Sequence, residues 1–275
     1  MMKYLSKIFL LLLLTALLSS CKTLTYGYEP GSIGNMYGFQ KVLVKGGDFW
    51  ITTYQKISNQ HKPYVFYIEG DGAAFSGRYR ISHNPTPRRQ TFINLAAMDD
   101  RPNVVYIARP CQYTPMTLNP TCKMQYWTDK RMSDDSVKSI NEVINKINNK
   151  HKFSLMGFSG GGGIAVLIAA RNNMVKDITT IAANLDHVAF TTLHNVTPMI
   201  GSLNPINYTE QIKNIPQLHI SGGKDTIIPP FIADKFVQKS SSNCVKQKIY
   251  ENISHTNGWK RVWEYIYTRP VRCYD

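Results

Sequence analysis

Phe153-Ser154-Leu155-Met156-Gly157-Phe158-Ser159-Gly160-Gly161-Gly162-Gly163-Ile164-Ala165 is the stretch whose reading decides the rest of the chain. A short apolar run, of strand length, ends at a glycine. A serine follows between glycines, and an apolar helical segment begins at once. This is G-x-S-x-G in a strand–turn–helix setting, in which the serine is held in a strained conformation at the tip of a sharp turn. The glycines have a steric reason. Strand and helix pass so closely that side chains two positions before and after the serine, at Gly157 and Gly161, would clash. The following helix points its free N–H groups at the serine, which favours negative charge there. A phosphate loop of the form G-x-x-x-x-G-K-[ST] needs a Lys after its glycines, and none follows these. Ser159 is read as a nucleophile.

Outward from this turn, β-branched apolar runs alternate with helical periods. Strands are expected at Lys41–Val44, Trp50–Ile57, Tyr64–Ile68, Val104–Ala108, Phe153–Gly157, Ile178–Ala183, Gln217–Ile220 and Val245–Glu251, and helices over about 89–98, 134–149, 160–172, 230–241 and 257–268. In the second helix Val137, Ile140, Ile144 and Ile147 share one face, with Ser133 as N-cap. In the last, Trp259, Val262, Trp263 and Ile266 fall at helical spacing and read as core. Runs such as Val65-Phe66-Tyr67-Ile68, apolar on both faces, belong to a parallel sheet covered on both sides. The first two strands are too close in sequence for a helical crossover and are expected to start the sheet antiparallel. No linker divides the body, so residues 40–275 read as one α/β domain.

A serine hydroxyl needs a base. On an elbow of this kind the acid and then the histidine follow the serine in the chain. Ile220-Ser221-Gly222-Gly223-Lys224-Asp225 ends a strand with a Gly-rich turn and an Asp, on the side where such sheets bind ligands. Tyr250-Glu251-Asn252-Ile253-Ser254-His255 ends the last strand with a loop histidine. His61, His83 and His151 precede the serine, His219 lies inside a strand, and His187 and His194 are less well placed. Asp225 and His255 are therefore the expected acid and base, with Asp186, after the sixth strand, as the rival acid.

These pieces, with the turn Tyr67-Ile68-Glu69-Gly70-Asp71-Gly72, resemble the α/β-hydrolase superfamily over roughly residues 40–270. The resemblance implies a mostly parallel eight-stranded sheet flanked by helices on both faces, a Ser159–His255–Asp225 triad, an acyl-enzyme intermediate, and neither metal nor organic cofactor. It implies a small-molecule acyl ester as substrate. A peptidase or thioesterase would use the same triad, and a surface lipoprotein that uses the fold only for binding is the non-enzymatic alternative. The oxyanion donors it implies are the N–H of Gly160 and that of Asp71 or Gly70. The departure is at Glu69, where His is frequent in the family, and at Asp71. Two carboxylates beside a developing oxyanion oppose it unless they point away or pair with a cation, and Arg78, Arg80 and Arg109 are candidate partners. Residues 111–132 and 187–212 are the segments able to cover the site.

The chain has 275 residues, 43% hydrophobic and 18% charged, too apolar for a disordered tail and, with a single strongly apolar stretch, not a multi-span membrane protein. That stretch is an address. Lys3 and Lys7 precede the apolar run Ile8–Leu18, and Leu18-Ser19-Ser20-Cys21 closes it, an export signal too short to span a bilayer as a helix. The Cys after small residues resembles the lipobox of bacterial lipoproteins, which implies removal of residues 1–20, lipidation of Cys21 and attachment to a membrane of the bacterial envelope, with residues 21–39 as tether. Lys22 rather than Asp follows, so by the Gram-negative rule no inner-membrane retention signal is present. Lys+Arg number 32 against 18 Asp+Glu, a formal charge of +14, which suits anionic surfaces. No nucleic-acid motif accompanies it.

Lipidation of Cys21 leaves Cys111, Cys122, Cys244 and Cys273, an even number in an exported chain and so two expected disulfides. On the layout implied by the resemblance, Cys244 and Cys273 meet at the bottom of the sheet, and Cys111 and Cys122 close a short loop at the rim of the pocket.

Overall fold

A computed structural model describes residues 37–77 and 80–273. The export segment, Cys21 and Arg78 lie outside the described residues. The chain opens with a hairpin, β1 (Gln40–Gly46) and β2 (Phe49–Ile57), paired from Gln40 opposite Gln55 to Gly46 opposite Phe49. It continues with β3 (Val65–Ile68), α1 (Thr91–Ala97), β4 (Asn103–Ile107), α2 (Asp134–Ile147), β5 (Phe153–Phe158), α3 (Gly160–Ala169), β6 (Val175–Ile181), α4 (His187–His194), α5 (Thr209–Ile212), β7 (Gln217–Gly222), α6 (Phe231–Ser240), β8 (Val245–Tyr250) and α7 (Trp263–Tyr267).

The eight strands form one sheet in the order β1-β2-β4-β3-β5-β6-β7-β8. β2 is antiparallel to both β1 and β4, and every other pairing is parallel. The early antiparallel pair expected from the short β1–β2 connection is present. β3 and β5 are neighbours, and the chain leaves β3 for β4 on one side and β5 for β6 on the other. A crevice opens beyond the carboxyl ends of strands at such a point. The turns after β3 and β5 flank it.

Alternation along the strands divides the core in two. Phe66, Ile68 and Leu155 face a layer holding Val137, Ile140 and Ile144 of α2, Ile164 and Ile168 of α3, and Phe236 of α6. Val65 and Tyr67 face Phe92 and Ile93 of α1 together with Trp259 and Trp263. Ser133 caps α2 as expected, its hydroxyl accepting from the Ser136 N–H, and Asp134 and Asp135 in the first turn complement the helix dipole.

The C-terminal segment differs from expectation. In place of one helix over 257–268, a single 3-10 turn at Trp259–Arg261 precedes the short α7. Gly258 at φ +97° lies outside the helical region and moves the start to Trp259, and Val262 at φ −114°, ψ 0° separates the turn from α7. The two tryptophans are buried regardless, at 1% and 0% exposure. No helix among the described residues is long and apolar enough to cross a membrane. Cys111 is bridged to Cys122 and Cys244 to Cys273.

Candidate active site

Ser159 occupies the turn between β5 and α3 at φ 51°, ψ −122°. A non-glycine residue there is strained by about 1–3 kcal/mol, which persists only where the surroundings fix it. Here they do. The Ser159 N–H donates to Ile181 O at 3.0 Å, and Ser159 O accepts from the N–H of Asn184 at 3.0 Å and of Gly162 at 3.1 Å. The glycines answer the steric expectation. A Cβ on Gly157 would lie 2.5 Å from Gly161 O, and one on Gly161 would overlap the carbonyl oxygens of Ile68 and Glu69.

The structure brings the three expected side chains together across 96 residues of sequence. His255 Nε2 is 3.1 Å from Ser159 Oγ, and His255 Nδ1 is 2.8 Å from Asp225 Oδ2. Asp225 is buried at the end of β7. Its other oxygen, Oδ1, accepts from the N–H groups of Ile227 and Ile228, both at 2.8 Å, which fixes the carboxylate towards the imidazole. The His255 ring packs at 5.2 Å on Phe158, and its carbonyl accepts from Trp259 Nε1 at 2.9 Å. The rival acid is committed elsewhere. Asp186 Oδ1 caps α4 by accepting from the N–H of Val188 and Ala189, and also takes Asn204 Nδ2. His219 is wholly buried, with burial pushing its pKa down to about 3, and one ring nitrogen is on Thr180 Oγ1. It is a packed residue, as its place inside a strand suggests.

The turn Glu69–Gly72 passes directly over the serine, close enough that a Cβ on Gly70 would be 3.1 Å from Ser159 Cβ. Both of its carboxylates are neutralised, by different means. Asp71 lies against Gly160 and is held by two arginines, Arg109 Nη1 at 3.3 Å and Arg131 Nη1 at 2.9 Å. Glu69 is buried, with Oε2 accepting from the Tyr106 hydroxyl and Oε1 from the Gly70 N–H at 2.7 Å. Burial raises its pKa to about 7, against the opposing effect of those two hydrogen bonds and of Arg109. Of the two oxyanion donors expected in this turn, the Gly70 N–H is therefore spent on Glu69, and the Asp71 N–H is the one left.

Sequence reading found Arg109 but not Arg131, whose link to Asp71 is made by a loop sixty residues away. It gave Arg80 the same task, yet Arg80 Nε donates to Ser76. A second brace was also missed: Gln112 Nε2 donates to Gly70 O at 3.0 Å while Gln112 Oε1 accepts from the Arg109 N–H. Beside Ser159 and His255 opens a cavity of about 480 Å³, walled by Phe75, Phe92, Phe158 and Phe190 and edged by Arg88, Arg89 and Arg131. Arg131 and Phe190 come from the two segments expected to cover the site.

A mostly parallel eight-stranded sheet, with a serine on the turn after β5 hydrogen-bonded through histidine to a buried aspartate at its carboxyl edge, is an α/β-hydrolase fold. Solved structures agree on the fold. Est1E from Butyrivibrio proteoclasticus is 12% identical with a TM-score of 0.58, covering 82% of this chain and 96% of that one. The Pyrococcus furiosus esterase Pf2001 is 12% identical with a TM-score of 0.59, over 84% and 88%. The acylaminoacyl peptidase of Pyrococcus horikoshii, 12% identical with a TM-score of 0.52, is a longer protein, of which the match covers 38% against 79% of this chain. No curated protein matches the sequence. The model of the serine hydrolase (FSH1) family matches residues 89–256, more than half of the chain, and the protein belongs to that family.

Proposed function

We propose that this serine hydrolase cleaves carboxylic esters with Ser159 as nucleophile, His255 as general base and acid, and Asp225 as the group that orients the imidazole. The observation that carries the reading is the unbroken hydrogen-bond chain Asp225–His255–Ser159 at the mouth of an open cavity. Ser159 Oγ attacks the acyl carbonyl as its proton passes to His255 Nε2. Asp225 stabilises the imidazolium without taking its proton. The N–H groups of Gly160 and Asp71 receive the oxyanion, each worth about 3–4 kcal/mol. His255 then protonates the leaving alcohol, and a water activated by the same imidazole frees the acyl group. The pairing of Asp71 with Arg109 and Arg131, and the burial that favours the neutral form of Glu69, weaken the electrostatic objection to an oxyanion in this turn.

An ester panel on the chain lacking residues 1–21, with fluorophosphonate labelling, tests the assignment. Labelling of wild type but not of Ser159→Ala, with turnover of short-chain aryl esters, is expected. Equal labelling of both would remove Ser159 from its role, and labelling with amide turnover alone would move the enzyme to the peptidases.

The same reading extends to place. The protein is a lipoprotein of the bacterial envelope, held by acylated Cys21, on the support of the basic head, apolar run and Leu18-Ser19-Ser20-Cys21. Labelled fatty acid should enter wild type and not Cys21→Ser. Incorporation into both would refute the anchor.

A further inference from the structure

The cavity's charges do not cancel. Of its acidic side chains, Glu69 is bonded at both oxygens, while Asp71 is shared by Arg109 and Arg131. Asp225, behind His255, is bonded at both oxygens too. Every carboxylate near the nucleophile is thus committed to a donor within the protein. The cations are not. Arg88 and Arg89, exposed at the edge of the same cavity, have no acidic partner among the described residues, and Arg89 Nη1 reaches only Thr256 Oγ1 at 3.3 Å. Two exposed guanidiniums therefore stand at the edge of a cavity whose own carboxylates are already bonded, with no acidic group paired to them among the described residues.

Their position gives the charge a direction. Thr256 directly follows His255, so Arg89 stands on the imidazole's side of the cavity. His255 must deliver its proton to the departing oxygen, so the leaving group lies on that side and the acyl group on the other. Guanidinium forks match carboxylate and phosphate oxygens geometrically. We infer that the enzyme takes esters whose leaving group carries an anion, a carboxylate or a phosphate, read by Arg88 and Arg89. This deepens the ester-hydrolase reading and rests on it.

Three phenyl acetates test the inference, with a meta carboxylate, a meta phosphate or a neutral meta carboxamide on the phenol. The anionic esters should exceed the carboxamide in kcat/KM by about tenfold or more, a ratio that shrinks with added salt. The ratio should collapse towards one in Arg88→Ala/Arg89→Ala and return in part in Arg88→Lys/Arg89→Lys. The two anionic arms tell carboxylate from phosphate. Equal turnover of all three esters, or a preference that survives the double alanine variant, would overturn the inference while leaving the hydrolase intact. So would a preference seen only when the anion is moved to the acyl part, as in p-nitrophenyl glutarate. Binding of 3-hydroxybenzoate to Ser159→Ala, by calorimetry, reads the same site without turnover. Arginine-dependent binding in a protein that cleaves no ester would keep the anion site and discard the ester chemistry.

Discussion

At the scale of single residues, the site is built from groups held in states they would not choose alone. Ser159 at φ 51° is one. Replacing it with Ala removes the hydroxyl and keeps the strain, whereas Gly tolerates the conformation. Both variants should be inactive, and Ser159→Gly should unfold about 1 kcal/mol later than Ser159→Ala in urea. Equal midpoints would mean that the turn stores no strain. Glu69 is the other. Burial, helped by the negative charge of Asp71, outweighs the Tyr106 hydroxyl, the Gly70 N–H and Arg109 in raising its pKa from 4.5 to about 7. Between those values the folded chain holds a proton that the unfolded chain has released. Its contribution is full below pH 4.5 and is lost as the pH rises to about 7, a fall of about 3 kcal/mol. Glu69→Gln keeps an acceptor for Gly70 and abolishes the titration, so its stability should fall by about that much less than wild type across the interval. Parallel curves would show that Glu69 ionises normally. The acid is decided the same way. Asp225→Asn should lower kcat by roughly 10³–10⁴, whereas Asp186→Ala should cost about 1 kcal/mol of stability through its lost cap and leave the pH–rate profile unchanged. The reverse pattern would exchange their roles.

At the scale of elements, the nucleophile turn depends on the absence of side chains. A methyl on Gly161 would meet the carbonyl oxygens of Ile68 and Glu69, which are backbone and cannot swing aside. Gly161→Ala should lose about 1–3 kcal/mol and should also displace the β3 turn, so that kcat falls while KM changes less. Wild-type kinetics in that variant would mean that β3 and α3 slide apart freely. The same close approach explains why so much of the site could be read from sequence. Local rules fix an elbow, a Gly-rich strand end with its Asp, and a loop His, and the sheet then converges them. Ser133 and the period of α2 were legible for the same reason. What was not legible depends on encounters between distant segments. Tyr106 looks like any residue of an apolar strand. Only the parallel pairing of β3 with β4, which sets Tyr67 beside Tyr106, brings its hydroxyl within reach of Glu69. Arg131 gives no signal because its partner is chosen by a loop path. α4 and α5 are short and follow a segment without periodicity, and the last helix is interrupted at Val262, where spacing alone suggested continuity.

At the scale of the whole molecule, the two disulfides close loops of similar entropic weight but different position. Separations of 11 and 29 residues predict about 3 and about 3.6 kcal/mol of stabilisation in the chain-entropy account. Loss of either should lower Tm by roughly 6–15 °C for a domain of this size. Their effects on activity should part. Cys244–Cys273 fastens the C-terminal end of the chain beneath β8, away from Ser159. Cys111 sits between Arg109 and Gln112, the two residues that brace Asp71 and Gly70, and Cys122 leads on to Arg131, which holds the other oxygen of Asp71. Reducing that bond frees both ends of the brace around the Asp71 N–H while Ser159, Asp225 and His255, which follow β5, β7 and β8, stay in place. Cys111→Ser/Cys122→Ser should therefore lose kcat below its melting transition with fluorophosphonate labelling merely slowed, and Cys244→Ser/Cys273→Ser should lose Tm alone. If both pairs cost the same in kcat, the rim loop is not what holds the oxyanion turn, and the rigidity of that turn must come from Glu69 and Tyr106 inside the sheet.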